Sequence, residues 1–146
     1  MSTRKDCNEF YLHMLKAKEI CLSITRSYSR RVLLHGDFHH DNILLSSNGE
    51  YIIIDPKGVI GDPVFDVPRF ILNEYGDHIT SELYTKINDI IFNFEVNLSI
   101  PNDVIRKCLY VETVMGTCWS LQSRALFDEF PKLMEDITFT ESIMES

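Results

Sequence analysis

The sequence predicts a mainly α-helical fold with one small β-hairpin, on three observations. Apolar residues recur at spacings of three and four through the first thirty positions. The same period returns across most of the second half. Between these regions, two short apolar runs flank an Asn-Gly pair, the strongest short hairpin signal in a sequence.

Residues 6 to about 28 read as a helix. Phe10, Met14, Ala17, Cys21, Ile24 and Tyr28 form one apolar stripe, and Lys5, Asp6, Glu9, Lys16, Lys18 and Glu19 fall largely off it. Ser27 to Arg31 connect this helix to an apolar lead-in, Val32 to Leu34. The hairpin strands are Ile43 to Leu45 and Tyr51 to Ile54, joined through Ser46-Ser47-Asn48-Gly49-Glu50. Val67 to about Tyr75 reads as a short helix stopped by Gly76. A longer helix is expected from Asp77 to about Leu98, with Leu83, Ile87, Ile90, Ile91, Phe94 and Leu98 on its apolar face. Ser99 and Pro101 signal the start of another, from about Asn102 to Arg124. Ile105, Leu109, Glu112, Met115 and Trp119 follow one side of that helix, beside Cys108 and Val111. Leu126 to Ser146 carries Phe127, Phe130, Leu133, Met134 and Ile137 and closes as a short helix with frayed ends.

A chain of 146 residues can bury a real core, and residues 1–146 read as a single domain. Fourteen Lys and Arg against 22 Asp and Glu leave a net charge of −8. That balance disfavours nucleic acid or an anionic membrane as partner and suits a cationic small molecule. There is no apolar run near the length of a membrane span and no leader pattern, so the expected compartment is the cytoplasm. Cys7, Cys21, Cys108 and Cys118 show no paired spacing and read as reduced thiols.

The chemistry concentrates in residues 32–73. Asp37 is followed five positions later by Asn42, and Asp55 lies beyond the hairpin. Phosphoryl transfer to an alcohol needs a carboxylate to orient the hydroxyl and accept its proton, together with oxygen ligands for a hard metal ion. Protein kinases supply these parts in the same order: an Asp, an Asn five residues later, and an Asp after a hairpin. The hairpin here returns Asp55 to the neighbourhood of Asn42, so two metal ligands distant in sequence can converge on one ion.

The run His35-Gly36-Asp37-Phe38-His39-His40-Asp41-Asn42 resembles the catalytic loop of the aminoglycoside phosphotransferase family. The continuation Ile54-Asp55-Pro56-Lys57-Gly58-Val59-Ile60-Gly61-Asp62-Pro63-Val64-Phe65-Asp66-Val67 is similar to the branch of streptomycin 6-kinases and aminoglycoside/hydroxyurea resistance kinases. The resemblance implies a protein-kinase-like C-terminal lobe. Its catalytic loop and metal motif would occupy residues 32–73 and its helical acceptor side residues 74–146. It implies Asp37 as catalytic base, and Asn42 and Asp55 as ligands of the Mg2+ that bridges the phosphates of ATP. His35 would support the loop, and Asp66 would tie the later segment to it. The implied activity is ATP-dependent O-phosphorylation of a small hydroxylated substrate, an aminoglycoside such as streptomycin, with antibiotic resistance as its role. Glu74, Asp77 or Glu112 would supply an acidic lining for such a polycation. Pro56-Lys57 stands where protein kinases have Phe-Gly, so their phenylalanine switch is not expected; Lys57 is given no role.

Structural readings stand beside these. Asp62 and Asp66 also read as turn and cap residues, since Asp66 precedes Val67-Pro68. His39 and His40 read as packing or surface residues. A zinc site of His35, His39 and His40 would leave the second motif without a purpose. Residues 1–31 contain no glycine, and no strand lysine or phosphate-binding loop precedes Val32. The N-terminal lobe is therefore expected to be missing and the chain to be a C-terminal fragment with little activity alone. Self-association through the face so left open is expected, and a non-catalytic remnant or binding module is the alternative function.

Overall fold

Helix α4, Asn102–Gln122, is the packing axis of the described residues, 4–122 and 129–146, in this computed structural model. Around it lie α1 (Arg4–Ser27), α2 (Val67–Leu72), α3 (Ser81–Leu98) and α5 (Phe130–Glu145). Four three-residue strands fall between α1 and α2 in sequence: β1 (Val32–Leu34), β2 (Ile43–Leu45), β3 (Tyr51–Ile53) and β4 (Val59–Gly61). The described residues are thus mainly helical, with two small antiparallel ladders.

Two apolar clusters meet on α4. Ile105, Cys108 and Leu109 pack with Ile24 of α1, Ile71 of α2, and Ile87 and Ile91 of α3. Tyr110, Val111 and Val114 pack with Ala17 of α1 and Ile137 of α5. Neighbours on several sides bury Cys108, Leu109, Tyr110 and Val111 of α4 in succession, so the expected one-sided stripe does not hold. Ile105 and Leu109 are buried, but Met115 is 38% and Trp119 58% exposed. The hydroxyls of Thr113, Thr117 and Thr140 sit inside this core and donate to the carbonyls of Leu109, Thr113 and Asp136 one turn back. On α1, the buried face includes His13, whose Nδ1 lies 2.7 Å from the Tyr110 hydroxyl, while Met14 of the expected stripe is 40% exposed. All four cysteines are free thiols, and burial pushes that of Cys108 up to about 12.

Several boundaries differ from the sequence expectation for local reasons. α3 begins at Ser81, not Asp77, because the Thr80 hydroxyl caps it by accepting from the Leu83 N–H. Ser99 closes α3 in the left-handed region with φ 56°, its N–H donating to Glu95, and does not open α4. α2 ends at Leu72, and residues 73–75 form a turn held by Glu74 N–H to Ile71 O and Tyr75 N–H to Leu72 O. α5 spans sixteen residues, longer than the short segment expected, with Phe130, Ile137, Thr140 and Ile143 buried; Arg124, Leu126 and Phe127 lie outside the described residues.

The hairpin pairs Ile43 with Ile53 and Leu45 with Tyr51. Its turn closes through Gly49 N–H to Ser46 O, and Gly49, not Asn48, takes the positive φ. A second ladder, unanticipated, pairs Val32 with Gly61 and Leu34 with Val59. Leu33, Leu45, Tyr51 and Ile53 on these strands are exposed. Among the described residues, no helix is long and apolar enough to cross a membrane.

The core assignment is testable by chemical denaturation. Leu109→Ala is expected to lower stability by about 2–5 kcal/mol, the range for a cavity left at a fully buried leucine. Met115→Ala on the same helix is expected to cost less than about 1 kcal/mol, as for a partly exposed position.

Candidate active site

The β1–β4 ladder delivers the chain into the loop that follows Leu34, and α2 fixes that loop from below. Asp66 occupies the position before α2 but makes no side-chain cap bond. Its carboxylate instead accepts the His35 N–H at 2.8 Å on Oδ2 and the Gly36 N–H at 2.9 Å on Oδ1. The capping reading of Asp66 therefore gives way to a tie across thirty residues. Gly36 is required here twice over. Its φ is +84°, and a Cβ would sit 3.0 Å from both Lys57 Cβ and Val59 Cγ2. Asp62 is buried and structural, accepting the Arg30 N–H at 3.0 Å and capping Val64 at 3.2 Å.

His35 is the hub of the loop. Its Nε2–H donates to the Ile54 carbonyl at 2.7 Å, its Nδ1 accepts the Asp37 N–H at 3.1 Å, and its own carbonyl accepts from Lys57 N–H at 2.7 Å. Those partners assign the Nε2–H tautomer. With both ring nitrogens engaged, His35 has no lone pair to offer a zinc ion. Among the described residues no group of three or more His, Cys, Asp or Glu could hold a metal.

Asp55 is thus flanked by two residues bonded to His35, and its own φ is +54°, uncommon outside glycine. On the other side, Ile54 N–H donates to the Asn42 carbonyl at 2.9 Å. Asn42 is buried, and its Nδ2 donates to the Asp37 carbonyl at 2.8 Å. These bonds bring residues 35, 37, 42, 54 and 66 into one unit and set Asp55 at its edge. Neither Asn42 Oδ1 nor the Asp55 carboxylate accepts a hydrogen bond among the described residues. An anchored amide oxygen and an uncommitted carboxylate fit the donor preference of a hard divalent cation.

Both oxygens of Asp37 have partners. Oδ1 accepts from Arg69 Nε at 3.2 Å, and Oδ2 lies 3.4 Å from His39 Nε2. The Asp41 N–H donates to His39 Nδ1 at 3.3 Å, which leaves the His39 proton on Nε2, facing Asp37. Burial alone would raise the proton affinity of Asp37. The Arg69 hydrogen bond, with the electrostatic pull of His39 and Arg69, outweighs it and holds the carboxyl below its ordinary value.

Around this centre, His40 stacks on Phe70 at 4.4 Å and Phe70 on Phe38 at 5.5 Å. Glu74 is committed to His40 and Lys86, and Asp77 is exposed. Of the three acidic residues expected to meet an acceptor, Glu112 alone lines the cavity bordered by Arg69, the hydrogen-bond partner of Asp37. That cavity, of about 350 Å3, is bordered by Arg69, Tyr75, Glu112, Trp119 and Asp136. Burial raises the carboxyl of Glu112 despite Arg69, and that of Asp136 despite Lys132. Sequence reasoning missed Arg69 and Asp136 and gave His39 only a packing role. No local signal marked Arg69, whose partner lies 32 residues earlier in the chain.

The loop, the hairpin and α2 thus share one hydrogen-bonded framework through His35, Asn42 and Asp66. The chain belongs to the aminoglycoside/hydroxyurea antibiotic resistance kinase family, whose profile matches residues 2–123. A relative is streptomycin 3''-kinase of Klebsiella pneumoniae, 33% identical over 70 residues. That match takes in 42% of this chain and 26% of the relative, so the chain spans about a quarter of the length of the curated relative it matches. No solved structure matches the chain.

Two outcomes follow from the geometry. Asp66→Ala strands two amides that had a carboxylate partner, and it is expected to cost about 2–3 kcal/mol. Hydrogen exchange at His35 and Gly36 should accelerate with it. The second concerns Asp37, whose proton affinity is depressed by folding. Its contribution to stability is present above the ordinary aspartate value of 3.8 and is lost as pH falls through the lower folded value. A carboxyl-carbon NMR titration should place its midpoint below 3.8 in the native chain, and Arg69→Ala should raise it.

Proposed function

We propose that this chain carries the catalytic loop and metal ligands of a kinase that transfers the terminal phosphoryl group of ATP to a hydroxyl of a small cationic acceptor, with an aminoglycoside such as streptomycin the first candidate and little activity expected of the chain alone. The observation that carries this reading is the single hydrogen-bonded unit joining Asp37, His35 and Asn42, with Asp55 at its edge. The family membership and the streptomycin kinase relative support it.

Asp37 is the catalytic residue. Kept ionised well into acid pH, it orients the acceptor hydroxyl and takes its proton as the new O–P bond forms and the bond to the departing ADP breaks. Asn42, through Oδ1, and Asp55, through its carboxylate, would hold Mg2+, which screens the phosphate charge when bound. His35 and Asp66 act through others: they position Asp37 and the flanks of Asp55. Residues 32–73 thus serve the phosphate side and residues 74–146 the acceptor side. On that side Glu112 and Asp136 supply negative charge at the mouth of the cavity, and Trp119 and Tyr75 supply flat faces for a sugar or cation.

Magnesium–nucleotide binding is the primary readout, because Asn42 and Asp55 are the residues proposed to hold the metal. Binding of ATP by titration calorimetry should depend on Mg2+ and weaken with Asn42→Ala and Asp55→Asn. Asp37→Asn should leave that binding in place and lower phosphorylation of streptomycin by about 10²–10⁴-fold, the range for loss of a general base. Nucleotide binding indifferent to Mg2+, or transfer indifferent to Asp37→Asn, would overturn the proposal.

A further inference from the structure

We propose that the two strand ladders are the contact face of a symmetric dimer, in which a second copy of this chain covers apolar side chains that the first leaves in solvent. The inference goes beyond the phosphoryl-transfer reading and does not rest on it.

The strands are where this fold departs furthest from ordinary burial. Each ladder has two strands, and a two-stranded ribbon is marginal in water unless a further layer covers it. Leu33 pairs with Ile60 on one face of the β1–β4 ladder. Leu45 pairs with Tyr51, beside Ile53, on one face of the hairpin. These five side chains range from 57% exposed at Ile60 to 75% at Tyr51. At such fractions they present roughly 700 Å2, close to the ~800 Å2 that each partner of a standard interface buries. The largest apolar patch on a typical monomer is about 300–600 Å2. The two ladders meet at the bond from His35 Nε2–H to the Ile54 carbonyl, 2.7 Å long. Asp55 lies between β3 and β4, so the contact borders the candidate site.

The charge pattern selects the occupant. A quarter of the chain is charged and its net charge is −8, yet the four strands contain no charged residue. Two like-charged copies approach at least electrostatic cost through a face that carries no charge. Opposite signs stand at its two ends. Exposed Arg31 immediately precedes β1, at the end of that ladder away from the loop. Exposed Glu50 immediately precedes β3, in the turn at the far end of the hairpin. A two-fold axis at the junction of the ladders lays the β1–β4 ladder of one copy against the hairpin of the other. It thereby brings Arg31 of each copy to Glu50 of the other. Such an interface is isologous and closes at two copies. Other exposed apolar residues lack this pattern. Tyr11 and Leu12 on α1 lie among Glu9, Lys16 and Lys18, and Phe92 and Val96 on α3 lie among Asn93, Glu95 and Asn97. Scattered apolar residues of that kind are ordinary surface.

Sedimentation equilibrium of the 146-residue chain tests the dimer. Mass should rise with concentration from the 17.0 kDa monomer and level off at two copies, with a Kd of about micromolar or tighter, as for interfaces of this size. Leu33→Thr and Tyr51→Thr keep a strand-forming residue while removing apolar surface. Each should raise the Kd about tenfold, with the helical circular dichroism unchanged. Phe92→Gln on α3 should leave the Kd where it was. Arg31→Glu should raise it about threefold to tenfold, because the symmetry counts each rim pair twice, and adding Glu50→Arg should restore it. A chain that stays monomeric at every concentration overturns the proposal, and so does one that associates only when a different polypeptide is supplied. Mass that climbs without levelling off overturns it as well. So does a dimer unmoved by both threonine variants, one weakened as much by Phe92→Gln, or one that the paired charge reversal fails to restore. None of these measurements involves nucleotide, so their failure leaves the magnesium–nucleotide test of the kinase reading standing.

Discussion

One carboxylate, that of Asp66, carries the geometry of the site. It takes two successive backbone amides, His35 and Gly36, from a segment thirty residues earlier. Hydrogen bonds to an ionised acceptor are the stronger kind, and two in a fork leave the loop no rotation. Everything downstream uses that anchor. With the His35 backbone fixed, its ring can bridge the Asp37 amide and the Ile54 carbonyl at once. With Gly36 in the left-handed region, the chain can pass against Lys57 and Val59 without a clash. Loosening Asp66 would therefore disturb both ends of the motif although Asp66 itself touches neither Asn42 nor Asp55.

The anchor in turn depends on the core. α2 has six residues and would not form alone. It is held because Val67 and Ile71 are buried against α4 and its neighbours. The helical period then divides the short segment between two tasks. Positions 67 and 71 face the core, while positions 66, 69 and 70 face the loop, where Asp66 binds amides, Arg69 binds Asp37, and Phe70 stacks on Phe38 and His40. A substitution in α4 that let α2 shift would move three contacts of the site together. Burial at Ile105 and Leu109 is coupled to site geometry in this direct sense.

How much of this was legible in the sequence follows from the range of each signal. α1, the hairpin and the Asp37–Asn42–Asp55 spacing were readable, because period, turn chemistry and motif order are local properties. The β1–β4 ladder was not. Three-residue strands carry no period, and Val59 to Gly61 could be matched to Val32 to Leu34 only in three dimensions. The stripe on α4 misled because one-sided burial assumes one neighbour, and this helix has four. Asp66 was open to two readings, and a local cap competes in sequence with a distant amide on equal terms; the hydrogen bonds decide for the distant one. Arg69 carried no motif. Only the direction of α2, fixed by burial of Val67 and Ile71, turns residue 69 toward Asp37.

The electrostatics of Asp37 bear on the kind of chemistry such a site can support. A carboxyl held below its ordinary value is a weak base. For a reaction that needed full deprotonation of an alcohol before bond formation, that would be a defect. Phosphoryl transfer through a loose transition state asks little of base strength, because the hydroxyl proton leaves late and charge sits mainly on the phosphoryl oxygens. What it asks for is a fixed acceptor for one hydrogen bond in the correct direction. Asp37 has its backbone bonded to both His35 and Asn42, and the Arg69 hydrogen bond helps keep its carboxylate ionised. On the proposed reading, the arrangement trades proton affinity for orientation.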